Sequence, residues 1–367
     1  MGRITQRSQL VKNILNTLYE KASDKHLYID ESLYKSSLDR LFETTAWGFR
    51  EIILVVIVGM NLDISYRASS ELYKCKPRAI YEGPIKEFLI ENSIPHRKSG
   101  PLNVAKATEG LNAAWAAQRR PRDVAENVVQ IINIMEREIE SGIVDNVGIS
   151  LLRRLIAENK RVEELSVIIE PTSNPEWLYH LSHELISKTP DAGNTPQKIA
   201  ALLLWNYHLA IHTKIKVTGG DDRASVTSTT SKKPGDVNEE STETGEIYKV
   251  YEITVKPFDL ARIRDSYDCV KIYNDNNNTH ISEIVVICRL EDCPNGMKKS
   301  GLQFCLGNYE YQNMVYYYWD IFEWCSYMLQ LMTPEARKNY YHLLNTYIAD
   351  INTAESVKFL WHDLHNS

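Results

Sequence analysis

IYKVYEITVKPFDLARIRDSYDCVKIYNDNNNTHISEIVVICRL, residues 247–290, decides how this chain is read. Its first ten residues, 247–256, are β-branched and aromatic and predict a strand. Pro257 and Asp259 can then start a helix in which Leu260, Ile263, Tyr267 and Val270 share one face, and the polar run NDNNNT at 274–279 ends it. The apolar run ISEIVVICRL at 281–290 predicts a buried strand. Strand, helix and strand in about 45 residues have the period of a crossover between parallel neighbours, and so predict an α/β fold.

Upstream the pattern changes. From residue 8 to about residue 215 apolar side chains recur at helical spacing, as in Leu10, Ile14, Leu15 and Leu18. Pro121 is placed to open a helix running to Glu140, with Gly142 to close it. The apolar stretch at 52–62 is too short to span a bilayer and reads as a buried element. A break at 170–175 (EPTSNP) divides a helical region, residues 1–170, from a second region, residues 176–367. Residues 218–245 are rich in Gly, Ser, Thr, Asp and Lys and predict a long loop or partly a strand. The C-terminal remainder, rich in Tyr and Trp, reads as helical. Tyr316, Tyr317, Tyr318, Trp319, Phe322 and Trp324 would then need cover on more than one side, which favours packing between domains or subunits.

The 367 residues are 43% apolar and 25% charged, a globular composition that excludes wholesale disorder, collagen and a disulfide-stapled miniprotein. Lys and Arg number 42 against 48 Asp and Glu, a net charge of −6, so any polyanion must be met by local basic patches. The N-terminus lacks the apolar run and cleavage site of a signal peptide. Cys75, Cys269, Cys288, Cys293, Cys305 and Cys325 lack the close pairing of a secreted scaffold. A reducing cytoplasm and no membrane association are expected.

Side chains alternate along a strand, so Glu252, Thr254 and Lys256 are expected on one face, about 6.6 Å apart in successive steps. Upstream stands Asp236, after Lys232, Lys233, Pro234 and Gly235. Carboxylates from two adjacent strands can bind Mg²⁺, which holds a phosphate oxygen and activates a water while a nearby ammonium stabilises the developing charge.

These residues resemble the PD-(D/E)XK nuclease superfamily, and more narrowly the type II restriction endonucleases of the SacI-like group. Pro234-Gly235-Asp236 is a variant of the Pro-Asp element, and residues 252–256 (EITVK) form the second element. With the following helix and strand, the resemblance covers roughly residues 195–290. It implies a mixed-sheet nuclease core flanked by helices, Mg²⁺ held by Asp236 and Glu252, and cleavage that leaves a 5′-phosphate. It also implies a bacterial or archaeal cytoplasm. The sequence departs from the pattern twice. A Gly separates Pro234 from Asp236, and Thr254 stands where the superfamily usually has Lys. Lys256 is then the first choice for the catalytic ammonium and Lys233 the second. Glu184 is the nearest candidate for the acidic residue that members often carry on the preceding helix.

Base and phosphate contacts are expected from Arg97, Lys98, Ser99, Asn103, Arg119, Arg120 and Arg122, which bracket an expected helix over 102–118, about 24 Å long at 1.5 Å per residue. A plainer role for Arg119 and Arg120 is to complement the negative end of that helix. Ser231, Lys232 and Arg262 are further DNA contacts. His180, His183, His208 and His212 have pairwise metal-ligand spacing but no zincin signature, so packing or capping is the better reading. Cys288, Cys293 and Cys305 read as core thiols. The expected protein is a Mg²⁺-dependent endonuclease cutting double-stranded DNA at a short palindrome as a homodimer, partnered by a DNA methyltransferase. The alternatives are a structure-specific repair or recombination nuclease, and a DNA-binding protein with a decayed nuclease core.

Overall fold

The structure, a computed structural model, describes residues 3–44, 46–96, 103–106, 108–221 and 233–366. The chain divides into two compact units, Met1–Glu164 and Leu165–Ser367.

The first unit is helical. Its main elements are α1 (Arg3–Ser23), α2 (Lys35–Phe42), α3 (Gly48–Leu62), α4 (Ala113–Ala117), α5 (Arg122–Arg137) and α6 (Ile143–Glu164). In α1 the buried stripe is Val11, Leu15, Leu18 and Ala22, while Leu10 faces outward, as a spacing of four, three and four requires. The apolar run at 52–62 lies in α3, which is buried around nearly its whole circumference. One charge is taken inside with it. Arg50 pairs with buried Glu158 at 2.6 Å and also donates to the carbonyls of Leu41 and Thr44, so neither ion is left uncompensated. Gly142, at φ 81°, ends the short turn after α5 in the left-handed conformation.

The expected helix over 102–118 is not formed as one rod. Its regular part is α4 alone, capped by the Asn112 side chain, which accepts from the Ala114 and Trp115 amides. The chain just before it is held instead by backbone bonds from Leu72 to Glu109 and from Leu111 to Ala68. Gly110 lies so close to Ser69 that a Cβ would come within 2.1 Å of its carbonyl oxygen. These tertiary bonds outweigh local helix propensity.

The second unit is a mixed α/β layer structure. After α7 (Pro175–Lys188) and α8 (Asn194–Ala210) come β1 (Ile215–Thr218), β2 (Val237–Ser241), β3 (Ile247–Ile253), α9 (Leu260–Asn277) and β4 (Glu283–Cys288). Next are β5 (Lys298–Lys299), β6 (Cys305–Tyr311), β7 (Met314–Asp320), α10 (Ile321–Leu331), α11 (Pro334–Ala349) and α12 (Glu355–Asn366). The sheet order is β1-β2-β3-β4-β7-β6-β5. β3 and β4 are parallel with α9 between them, and β4 is parallel to β7, while β1–β2, β2–β3, β7–β6 and β6–β5 are antiparallel. Val237, Tyr251, Ile253, Val285 and Ile287 pack with α7, α8 and the C-terminal helices on one face. Val250, Ile284, Val286, Tyr316 and Tyr318 pack with Phe258, Ile263 and Val270 on the other. On α9 the buried positions are Ile263, Ser266 and Val270, and Leu260 is exposed.

The aromatic stretch corrects the helical expectation. Residues 305–320 are a hairpin, β6 and β7, turning at Gln312 with φ 56°, and helix resumes only at Ile321. Met314, Tyr316 and Tyr318 are buried and their neighbours less so, a period of two that aromatic side chains favour in strands. Tyr316→Ala should therefore destabilise by about 3–5 kcal/mol, against about 1 kcal/mol for Tyr317→Ala. Urea midpoints that respond equally to both would contradict the strand alternation.

Candidate active site

Asp236 stands one residue before β2. Val237 pairs with Tyr251 in the β2–β3 ladder, so one further antiparallel step sets Asp236 across from Glu252. The glycine between Pro234 and Asp236 has a steric cause. A Cβ on Gly235 would lie 2.8 Å from the Tyr251 carbonyl oxygen and 2.5 Å from Val250 Cγ1. The approach is equally tight from the other side, where a Cβ on Gly219, at φ +96°, would meet the Asp236 carbonyl oxygen at 2.0 Å. Only glycine permits such close packing, and it brings Asp236 against β3. Asp236 Oδ2 accepts from the Ile253 amide at 3.0 Å, and the Gln197 side chain on α8 donates to the carbonyls of Gly219 and Asp236.

Glu252 is 7% exposed and accepts from Ser266 Oγ on α9 at 3.1 Å. The two carboxyl groups hydrogen-bond to each other. Burial raises the Asp236 pKa against the opposing pull of the Ile253 amide, Arg262 and Glu252. Glu252 is pushed well above the usual carboxylate range, by burial first and by the charge of Asp236 second. Two like charges this close in a low-dielectric site cannot both ionise freely, so the pair retains a proton.

Such a raised pKa means the folded chain holds a proton that the unfolded chain releases as pH rises above about 4. The pair therefore costs stability increasingly toward high pH. Glu252→Gln removes that cost and should stabilise by about 0.5–2 kcal/mol at pH 8, with the gain shrinking toward pH 4. A urea-melt comparison in which the variant is less stable at pH 8 would contradict this electrostatic picture.

The positive charge felt by both carboxyl groups comes from Arg262. Its Nη1 donates to Thr254 Oγ1 at 2.6 Å, and its guanidinium lies over the Phe258 ring, 4.8 Å from the centroid. Lys256 does not share the strand face of Glu252, because β3 ends at Ile253 and Lys256 is exposed in the bend that follows. The bend has a local cause. The Thr254 hydroxyl accepts from the Lys256 amide and donates to the Lys256 carbonyl, each at 3.0 Å, and Pro257 has no amide with which to continue a ladder. Lys233 is part-buried, just before Pro234. Sequence reasoning assigned Arg262 to DNA contact and overlooked Ser266 and Gln197. Arg262 and Ser266 are four apart on one helix, the spacing that puts them on a common face toward β3.

Of the other expected sites, Arg97, Lys98, Ser99, Ser231 and Lys232 lie outside the described residues. Asn103 and Arg120 are exposed. Arg120 donates to the Arg119 carbonyl at 2.8 Å and Arg119 to the Lys106 carbonyl at 3.2 Å. Arg122, at the start of α5, pairs with Glu126 at 2.8 Å, which offsets a cation at the positive end of the helix without any outside anion. Glu184 is on α7 and pairs with Lys188 and His183. The helix that reaches Asp236 is α8, through Gln197. His183 packs on the Phe322 ring and His180 on Trp177. His208 pairs with Glu239 at 3.0 Å, and Tyr251 donates to the same carboxylate, on the sheet face opposite Asp236 and Glu252.

Among the described residues no group of three or more His, Cys, Asp or Glu side chains is placed to hold a metal, and no helix is long and apolar enough to cross a membrane. Comparison with protein-family models and with curated proteins finds no match.

Proposed function

We propose that this chain is a Mg²⁺-dependent type II restriction endonuclease of the PD-(D/E)XK kind, hydrolysing double-stranded DNA at a short palindromic sequence. One observation carries the reading. Two carboxyl groups on adjacent antiparallel strands share a proton beside a guanidinium, and β3, which carries one of them, leads through α9 to a parallel neighbour.

The residues fit Mg²⁺. A pair of carboxylates with no imidazole or thiolate is a hard oxygen donor set, and Mg²⁺ is commonly bound through one or two carboxylates, with water and substrate phosphate completing its shell. Asp236 and Glu252 would hold it, and the proton they share would leave. When bound, Mg²⁺ supplies charge to a phosphate oxygen and lowers the pKa of a water. The chain's part is to keep the acceptors aimed. The Ile253 amide fixes one Asp236 oxygen and Ser266 fixes one Glu252 oxygen, so each carboxylate presents its remaining lone pairs without reorganising. The helical first unit would serve recognition or scaffolding, and a homodimer would cut both strands of a two-fold site. A DNA methyltransferase would protect the host sequence.

Digestion of a sequenced plasmid with Mg²⁺ should give discrete fragments whose ends share one short palindrome and carry 5′-phosphates. Asp236→Asn combined with Glu252→Gln should lower the rate by at least about 10²-fold, and an unaltered digest in that double variant would refute the assignment. Fragment ends with no common sequence, and faster cutting of branched DNA, would favour a structure-specific nuclease. DNA retention on a gel without cutting would favour the binding-protein reading, to which the threonine at 254 lends weight.

A further inference from the structure

Building on the nuclease reading, we infer that Arg262 is the catalytic cation, contacting the scissile phosphate where a lysine at position 254 would otherwise act, and that Thr254 is its positioning residue. The inference starts from where Arg262 stands. It is the third residue of α9, whose first turn is capped by Asp259 accepting from the Arg262 amide. A cation there opposes the helix dipole and costs stability unless negative charge is held in front of it. Asp236 and Glu252 provide that charge, and both respond to the guanidinium.

Thr254 fixes the group in place. A hydroxyl has one proton and two acceptor lone pairs. The proton goes to the Lys256 carbonyl, and the lone pairs receive the Lys256 amide and Arg262 Nη1. No proton is left for Thr254 to give to a substrate, and no lone pair with which to orient a water. Its contribution is to hold the guanidinium 2.6 Å from its own Oγ1, at the end of the side chain from which a lysine would project its ammonium. Phe258 supports the group from beneath. A guanidinium has five N–H donors in a planar fork, so the bond to Thr254 leaves donors for the two-point contact with phosphate oxygens that this shape favours. Lys256, in the exposed bend beyond β3, has no such anchor shown for its ammonium.

Single-turnover cleavage, calcium binding by calorimetry and calcium-supported DNA binding test this together. Arg262→Ala should lower the cleavage rate by about 10²–10³-fold while calcium binding is unchanged or tighter, because a cation near the carboxylates has been removed. Thr254→Val keeps the cation but loses its anchor, and should lower kcat with little change in KM. Arg262→Ala with Thr254→Lys should recover cleavage at least about tenfold over Arg262→Ala alone, since each 1.4 kcal/mol of restored transition-state contact is worth that factor.

Arg262→Ala that cuts at the wild-type rate overturns the inference and leaves the nuclease reading standing. So does loss of calcium binding together with cleavage, which would make Arg262 a structural support of the carboxyl pair. Abolition of cleavage by Lys256→Ala, with Arg262→Lys and Arg262→Ala both active, also overturns it. A wild-type chain that cuts no DNA with Mg²⁺ removes the nuclease reading itself, and this assignment with it.

Discussion

The antiparallel register of β2 and β3 forces two carboxyl groups to face one another in a site with little water, and the surrounding chain is arranged around the cost of that encounter. A strand pair would ordinarily avoid like charges directly opposite. Here the backbone is drawn in by two glycines, Gly219 and Gly235, at contact distances that no side chain could share. The groups that make the encounter tolerable are all donors: the Ile253 amide, the Ser266 hydroxyl and the Arg262 guanidinium. The residual cost is met by keeping a proton. Such local conflict with stability is characteristic of sites retained for chemistry.

The reverse face of the same strands shows the contrast. Glu239, one strand position beyond Asn238, is also buried, yet its pKa is lowered. Burial alone would raise it, but the bonds from His208 and Tyr251 outweigh that effect. One carboxylate with two dedicated donors is a satisfied structural group. The carboxyl pair on the other face is different in kind, because each member is the other's main electrostatic problem.

Much of this was legible in the sequence. The β-branched run from Ile247, the capped helix after Asp259 and the apolar run ending at Cys288 became parallel strands around a helix, because period and capping are local signals. Asp236 and Glu252 were legible as a pair because both lie at strand positions with a recognisable spacing. The extent of β3 was misjudged, since the Thr254 hydroxyl bonds that end it depend on side-chain direction. The hairpin at 305–320 was taken for helix although Met314, Tyr316 and Tyr318 alternate, because bulk hydrophobicity was weighed above period. Arg262 was seen as a surface base-reader because its partners, Thr254 and the carboxyl pair, become neighbours only once α9 has folded back over β3. The segment at 102–118 was lost for a related reason, as the backbone bonds to Ala68 and Leu72 are tertiary.

Asp236, Glu252, Thr254, Phe258, Arg262 and Ser266 all come from one short interval of chain, residues 236–266. Bringing them together requires closing only small loops, and loop-closure entropy rises with the separation of the ends. The constellation therefore has low contact order, whereas the hairpin on the far side of β4 joins the sheet through longer-range pairings. Chain insertions or deletions beyond β4, or anywhere in the helical first unit, can change what surrounds this interval without altering its internal geometry. It behaves as a modular cassette, open to being combined with different recognition elements while its own arrangement persists.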